Sequence, residues 1–456
     1  MSLSPARVRL IVAALLIVAF GLRVWRVQST SYTPINDAAS YLTLASQVAH
    51  SGDYTSHTGA GGSRGPTAYF PPAFPYFLAA VELVDGHRTP TGPSVHPARL
   101  AVAVVGTASV ALIGLVAFEA FGISVALVSM ALAAVYPAFI ELSGTIYSEN
   151  LMLALALAAI WAALRARRSD HPLQWIAAAG VLTGLSALTH TNGVVLVLPL
   201  AFAAWSAQRR WTSPALLVVA AAVTVAPWTI RNAIVLHRFI PISDETGITL
   251  AGTYNPTSAA NHRIPYRWLF YGEIPSDAAI SRQAPHLTEP QLGSKLQHAA
   301  FHYISDHPLA PLKVAYHNTR RLLELEGSTA WESSAASVSL SSRAARIGVF
   351  GFWSVLILAV AGAFVPVTRR APRWLWAVPI LLALSVIFVN SETPRFRSPI
   401  DPFLIMLAAC ALVSAAARVR RVPVASDGGA PVRRDELRAP AAGSLSELIE
   451  VVQSGA

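Results

Sequence analysis

The chain has 456 residues, 54% of them hydrophobic and only 13% charged, and its mean hydropathy is +0.49. A soluble domain carries about 25% charged residues, so the long uncharged runs describe an all-α polytopic membrane protein rather than a soluble enzyme. A net charge of +10 would suggest nucleic acid as partner in a soluble protein. Here the arginines cluster at the ends of apolar runs, which is a topology signal, and no nucleic-acid partner is expected.

In chain order, a basic lead-in of residues 1–7 precedes a first span at 8–25, closed by Arg23 and Trp25. No A-x-A site follows, so this span reads as an uncleaved signal-anchor. Residues 26–95 hold no clean span. A patterned helix runs from Tyr41 to Ala49 and should stop at Gly52. Residues 69–84 are apolar, but Pro71, Pro72 and Pro75 break their start, which predicts a helix lying at the membrane surface. Spans follow at 97–118, 122–140, 150–165, 174–189, 192–207 and 213–230, and again at 347–367, 374–390 and 399–417. The total is about ten.

This divides the chain into an N-terminal membrane module (1–230), an extracytoplasmic segment (231–346), C-terminal spans (347–417) and a tail (418–456) of disordered composition. Arg165, Arg167, Arg168, Arg209, Arg210, Arg369, Arg370, Arg373, Arg418, Arg420 and Arg421 all fall on one side. That side should be cytoplasmic, with both termini. Cys410, the single cysteine, allows no intramolecular disulfide and no Cys-based zinc site.

The other face collects Asp37, Glu149, His190, Arg231, Glu392, Arg395 and Arg397, all at span ends. Ionisable groups gathered at one surface, with almost none in mid-span, fit an interfacial active site better than a through-membrane pathway. Each group also has a plainer reading. Asn36-Asp37 is a good helix start. Glu149 suits the first turn of a helix. His190 could be a surface or capping residue. Arg231, in Pro227-Trp228-Thr229-Ile230-Arg231-Asn232, could be an interfacial anchor. Arg395 and Arg397 sit in a short loop on the side disfavoured for Arg, which a bound phosphate would compensate.

Taken together, Asp37-x-x-x-Tyr41 after the first span, the Pro-Pro element at 71–72, the outer acid Glu149 and Arg395-Phe396-Arg397-Ser398-Pro399 resemble the GT-C superfamily of glycosyltransferases. The likeness is to glycosyltransferase family 39, which holds protein O-mannosyltransferases and the aminoarabinose transferase of lipid A. The resemblance implies a GT-C-type fold with interfacial helices in the first outer loop. It implies a polyprenyl-phosphate-linked sugar donor, a hydroxyl acceptor (polysaccharide, lipid or protein) and membrane lipids as partners. It implies inversion in one displacement with Asp37 as general base. Glu149 would assist by orienting the acceptor or, as in some relatives, by binding a divalent metal; no cofactor is expected. Tyr41, His190, Arg231, Arg395 and Arg397 are the expected substrate-binding residues. The family often has Asp-Glu where this chain has Asp37-Ala38, so one carboxylate is lost. A flippase for lipid-linked sugars and a non-catalytic lipid-binding scaffold are the alternatives.

Overall fold

The computed structural model describes residues 4–56, 65–86 and 94–419; the expected tail beyond 419 lies outside them. Helix α1 (Pro5–Gln28) starts at a Ser4 cap with proline in its first turn, where a missing N–H costs nothing. Helix α2 (Asp37–Ser51) stops at Gly52, whose φ of +73° is left-handed and suits glycine. A two-residue antiparallel ladder, β1 (Thr55–Ser56) on β2 (Gly65–Pro66), leads to α3 (Ala73–Asp85). With 13 residues, α3 is about 20 Å long, too short to span a bilayer. Its exposed Tyr76, Leu83 and Val84 fit the surface placement expected from the sequence.

The bundle continues with α4 (Val95–Phe121), α5 (Ile123–Val135), α6 (Pro137–Ser143), α7 (Glu149–Arg165) and α8 (Pro172–Thr189). A 3₁₀ turn (Thr191–Leu196) feeds α9 (Val197–Gln208), and α10 (Thr212–Leu236) follows. The segment after α10 forms α11 (Thr246–Thr253), α12 (Pro256–Ala259), α13 (Ala278–Gln283), α14 (Glu289–Asp306), α15 (Ala310–Leu322) and α16 (Ser328–Ser337). The chain then returns through α17 (Ser342–Ala363), α18 (Arg373–Ile387) and α19 (Asp401–Val419).

Every span expected from hydropathy falls on one helix or on two consecutive helical segments. Among the described residues seven helices are long and apolar enough to cross a membrane, and α5 with α6 makes an eighth if counted as one broken span. This is a multi-pass membrane protein. Two expectations change. The third span is not continuous: it bends by 57° between α5 and α6. Pro137 lacks an N–H and forces Tyr136 into extended backbone at ψ 116°, as a residue before proline must be. Arg23 does not close the first span at the interface. It is fully buried, and its Nη1 donates to the carbonyls of Ala19 (2.9 Å) and Ala134 (3.4 Å).

The core is helix on helix. α4 packs on α1, α5 and α7; α7 packs on α8, α8 on α10, and α17 on α19. Where α8 meets α10, a Cβ at Gly180 or Gly184 would collide with the α10 backbone, and one at Gly362 of α17 would collide with that of α19. In lipid, helices associate through such close small-residue contacts because no hydrophobic gain separates lipid from protein. The ends of α1, α7, α8, α10, α18 and α19 meet α2 and the 237–341 segment on one face, where the ionisable groups collect.

Candidate active site

Asp37 is the first residue of α2, and the chain enters it through Asn36 at φ +51° and ψ −127°, a sparsely populated conformation for a residue with a side chain. Asn36 does not cap the helix with its side chain; its Nδ2 donates to the Ser337 carbonyl at 3.0 Å. Asp37 is therefore set by a contact across the fold as well as by the helix start. Ala38 behind it is fully buried, so the second carboxylate of the family pattern would have no access to solvent here.

Arg395 joins the two expected acids. Its Nη2 lies 2.6 Å from Asp37 Oδ2, and its Nε donates to Glu149 Oε1. The guanidinium is also held over the rings of Tyr147 (4.7 Å) and Phe396 (4.9 Å). A bidentate, ring-stacked site of this kind selects Arg over Lys. Burial separates the acids: the Asp37 side chain is 29% exposed and that of Glu149 is 3% exposed.

His190 caps the C-terminus of α8 and brings Nε2 to 3.5 Å from Glu149 Oε1. Its Nδ1 accepts the Asn192 N–H (3.4 Å), which leaves the Nε2 proton facing the carboxylate. Burial works against the imidazolium. The hydrogen bond and charge of Glu149, with the charge of Glu245, outweigh it and hold the pKa above its ordinary value. Two further acids border the group. Glu245 accepts from Thr191 Oγ1 (2.9 Å), Glu392 accepts from Ser337 Oγ (3.2 Å), and burial raises the pKa of both. Glu245 carried no sequence signal, because nothing in a loop after α10 announces that it folds back over α8. A small pocket with room for about one water adjoins the cluster. Glu149, His190 and Asn192 form its polar side, and Met152, Leu382 and Pro399 its apolar side.

The other expected binding residues lie elsewhere. Tyr41 is buried between Phe70 and Phe74, and its hydroxyl meets Ser148 Oγ at 3.1 Å. It supports the residue before Glu149 and offers no surface to a substrate. Arg397, two residues from Arg395, is 2% exposed. It pairs with Glu324 (2.5 Å) and Asp401 (3.2 Å) and stacks on Phe352, all three outside the Asp37 cluster. Arg397 thus ties the start of α19 to Glu324, beyond the end of α15. Arg231 donates to the carbonyls of Thr67 (2.6 Å) and Tyr54 (2.8 Å) and lies over Trp228. It clips the first loop to α10. Among the described residues no three His, Cys, Asp or Glu side chains converge as a metal site. The cation between Asp37 and Glu149 is a guanidinium.

The clip has a second half. Glu289, at the start of α14, accepts from Thr67 Oγ1 and from the Ala68 N–H (2.7 Å). Burial pushes its carboxyl up to about 7 against these hydrogen bonds. The folded chain holds this proton more tightly than the unfolded chain. Its stabilising share is therefore complete below the ordinary carboxylate range and lost as pH rises through about 7. Melting temperature should fall as pH rises from about 4.5 to about 7 and level off above that, and Glu289→Gln should flatten that slope, with a gain on the order of 2 kcal/mol at the alkaline end. Parallel slopes in the two proteins would show that Glu289 stays ionised.

A family model described as dolichyl-phosphate-mannose-protein mannosyltransferase matches residues 70–230. No curated protein sequence matches the chain. Among solved structures, the oligosaccharyltransferase AglB of Archaeoglobus fulgidus, in complex with an inhibitory peptide and a dolichol-phosphate, superposes with a TM-score of 0.54 at 12% identity. The match covers 98% of this chain and 53% of that one, so the chain spans about half the length of the archaeal protein. ArnT of Cupriavidus metallidurans bound to undecaprenyl phosphate matches at 17% identity and TM-score 0.40, over 91% of this chain and 79% of that one. The mannosyltransferase-type match within the first membrane module, and a helical fold shared with AglB along almost the whole chain, bear out the GT-C-type fold expected from the sequence.

Proposed function

We propose that the protein transfers one sugar from a polyprenyl-phosphate donor to a hydroxyl acceptor on the extracytoplasmic face, by single displacement with inversion. One observation carries the assignment of roles. Of the two carboxylates bridged by Arg395, only Asp37 is open to solvent. Asp37 takes the proton of the acceptor hydroxyl as that oxygen attacks the anomeric carbon. The carbon–phosphate oxygen bond breaks, and the lipid phosphate leaves as an anion that needs no strong acid. The buried Glu149 holds Arg395 and His190 in place. The second Arg395 amino group, Nη1, has no hydrogen-bond partner among the described residues and is free to meet the donor phosphate.

Right-side-out membrane vesicles charged with a polyprenyl-phosphate sugar should glycosylate an impermeant hydroxyl acceptor in the presence of EDTA. Inverted vesicles should not. Transfer only from inverted vesicles would overturn the sidedness, and abolition by EDTA would show that the step needs a divalent metal. Mass spectrometry of envelope glycans in a deletion strain would then identify sugar and acceptor.

The role of Arg395 has its own test. Lys keeps the charge but loses the planar fork whose separate nitrogens reach two carboxylates and a phosphate at once. Arg395→Lys should weaken binding of a short polyprenyl phosphate about tenfold to a hundredfold, the worth of one charge-assisted hydrogen bond. Unchanged affinity in the purified variant would place the phosphate elsewhere.

A further inference from the structure

Helix α15 is built the wrong way round for water. Its buried face carries Asn318 and Arg321 beside Ala310, Val314 and Leu322. Its outward face carries Leu312 (65% exposed) and Tyr316 (57%), in line with Leu309 (62%) before it and Leu323 (37%) after it. Positions 309, 312, 316 and 323 fall on one stripe of a helix with 3.6 residues per turn. A helix on a soluble surface turns such a stripe inward. Here Asn318 and Arg321 point in and are satisfied there, while Lys313, Thr319 and Arg320 share the outward side with the apolar stripe. Asn318 Nδ2 donates to the Ile387 carbonyl (2.9 Å), and Arg321 donates to Asn318 Oδ1 (2.6 Å) and to the Pro265 carbonyl.

The neighbours of α15 fix its depth. α15 packs on α18, whose 15 residues reach only about 22 Å against the roughly 30 Å of a hydrocarbon core. The Asn318–Ile387 bond places α15 across the end of that short helix. On the other side Trp353 Nε1 donates to the Leu323 carbonyl (3.1 Å). Trp353 is the twelfth residue of α17, about 16 Å from its start. It lies beyond Ile347 and Phe350, which are themselves exposed apolar residues of that span. The outward stripe of α15 is thus continuous with the lipid-facing surface of α17.

We infer that α15 lies in the plane of the bilayer, within the leaflet on the active-site side, with Leu309, Leu312, Tyr316 and Leu323 in contact with acyl chains. It completes the apolar thickness that α18 lacks. Lys313, exposed on the same helix, reaches the head groups by its long stem. The inference does not depend on the transfer chemistry, but it touches the site: Ser391 Oγ donates to the Asn318 carbonyl (2.9 Å), four residues before Arg395. A helix seated in lipid therefore anchors the strand of chain that carries the site's arginine.

The test uses the full chain with Cys410→Ser, reconstituted in phosphatidylethanolamine–phosphatidylglycerol vesicles. Single cysteines at 309, 312 and 316 carry a nitroxide label, with position 302 on α14 as a control, where the native His302 side chain is 80% exposed. Power-saturation resonance should show the three α15 labels several-fold more accessible to oxygen than to a water-soluble nickel chelate, and the control reversed. Labels on α15 that behave like the control would put the helix in water and overturn the inference. Labels shielded from both reagents would mean that protein covers the stripe, from a second copy or another chain, and would overturn it equally. Because the probes sit on surface positions and read no activity, failure of the proposed transfer reaction would leave this result unaffected.

Discussion

Asp37→Asn is expected to lower the rate of sugar transfer by about 10²–10⁴-fold, the usual worth of a positioned general base. Folding and donor binding should survive. The amide is nearly the same size, and asparagine starts helices about as well as aspartate. Arg395 would lose one carboxylate but keep Glu149, its two ring contacts and its place in the chain. The capping role that the sequence alone allows for this region is not how the side chains are used: Asn36 occupies the cap position and reaches Ser337, while Asp37 is paired with Arg395. A mild loss therefore cannot be assigned to a weakened cap. The measurement is the initial rate at saturating donor, beside the melting temperature and the affinity for polyprenyl phosphate. A variant that transfers at near the parent rate would remove Asp37 from the chemistry, whatever its binding behaviour.

The second large effect is on stability. Arg397→Met should destabilise the protein by about 3–5 kcal/mol, because it strands Glu324 and Asp401 as buried charges with no cation between them. Both are nearly inaccessible, at 4% and 1% side-chain exposure. The Tyr136 hydroxyl, which donates to Asp401 Oδ2 at 2.9 Å, would then be the remaining support of that carboxylate. Neutralising the partners in an Arg397→Met, Glu324→Gln, Asp401→Asn protein should recover most of the melting temperature, since a buried ion pair replaced as a unit costs little. That triple variant should bind polyprenyl phosphate like the parent. Loss of binding in a triple variant that melts normally would return Arg397 to the donor site and undo its separation from Arg395.

Hydropathy and helix-end chemistry are short-range, and what they govern is legible in the order of the amino acids. The apolar runs locate the helices of the membrane part, because a backbone in lipid must satisfy its hydrogen bonds within its own segment. The same runs put Asp37, Glu149 and His190 at helix ends on one face, and the fold brings those three into one cluster around Arg395. The arginines are not legible in this way. Arg231, Arg395 and Arg397 all stand at the end of an apolar run and read alike. Apart from Asp401, four residues from Arg397, they have partners 164, 246 and 73 residues away along the chain, and a guanidinium follows whichever carboxylate or carbonyl the fold delivers. The outward stripe of α15 is hidden for a related reason. A period of 3.6 shows that a helix has two faces, but only its neighbours decide which face meets lipid. In α15 that choice falls to Ile387 and Ser391, from α18 and the chain after it.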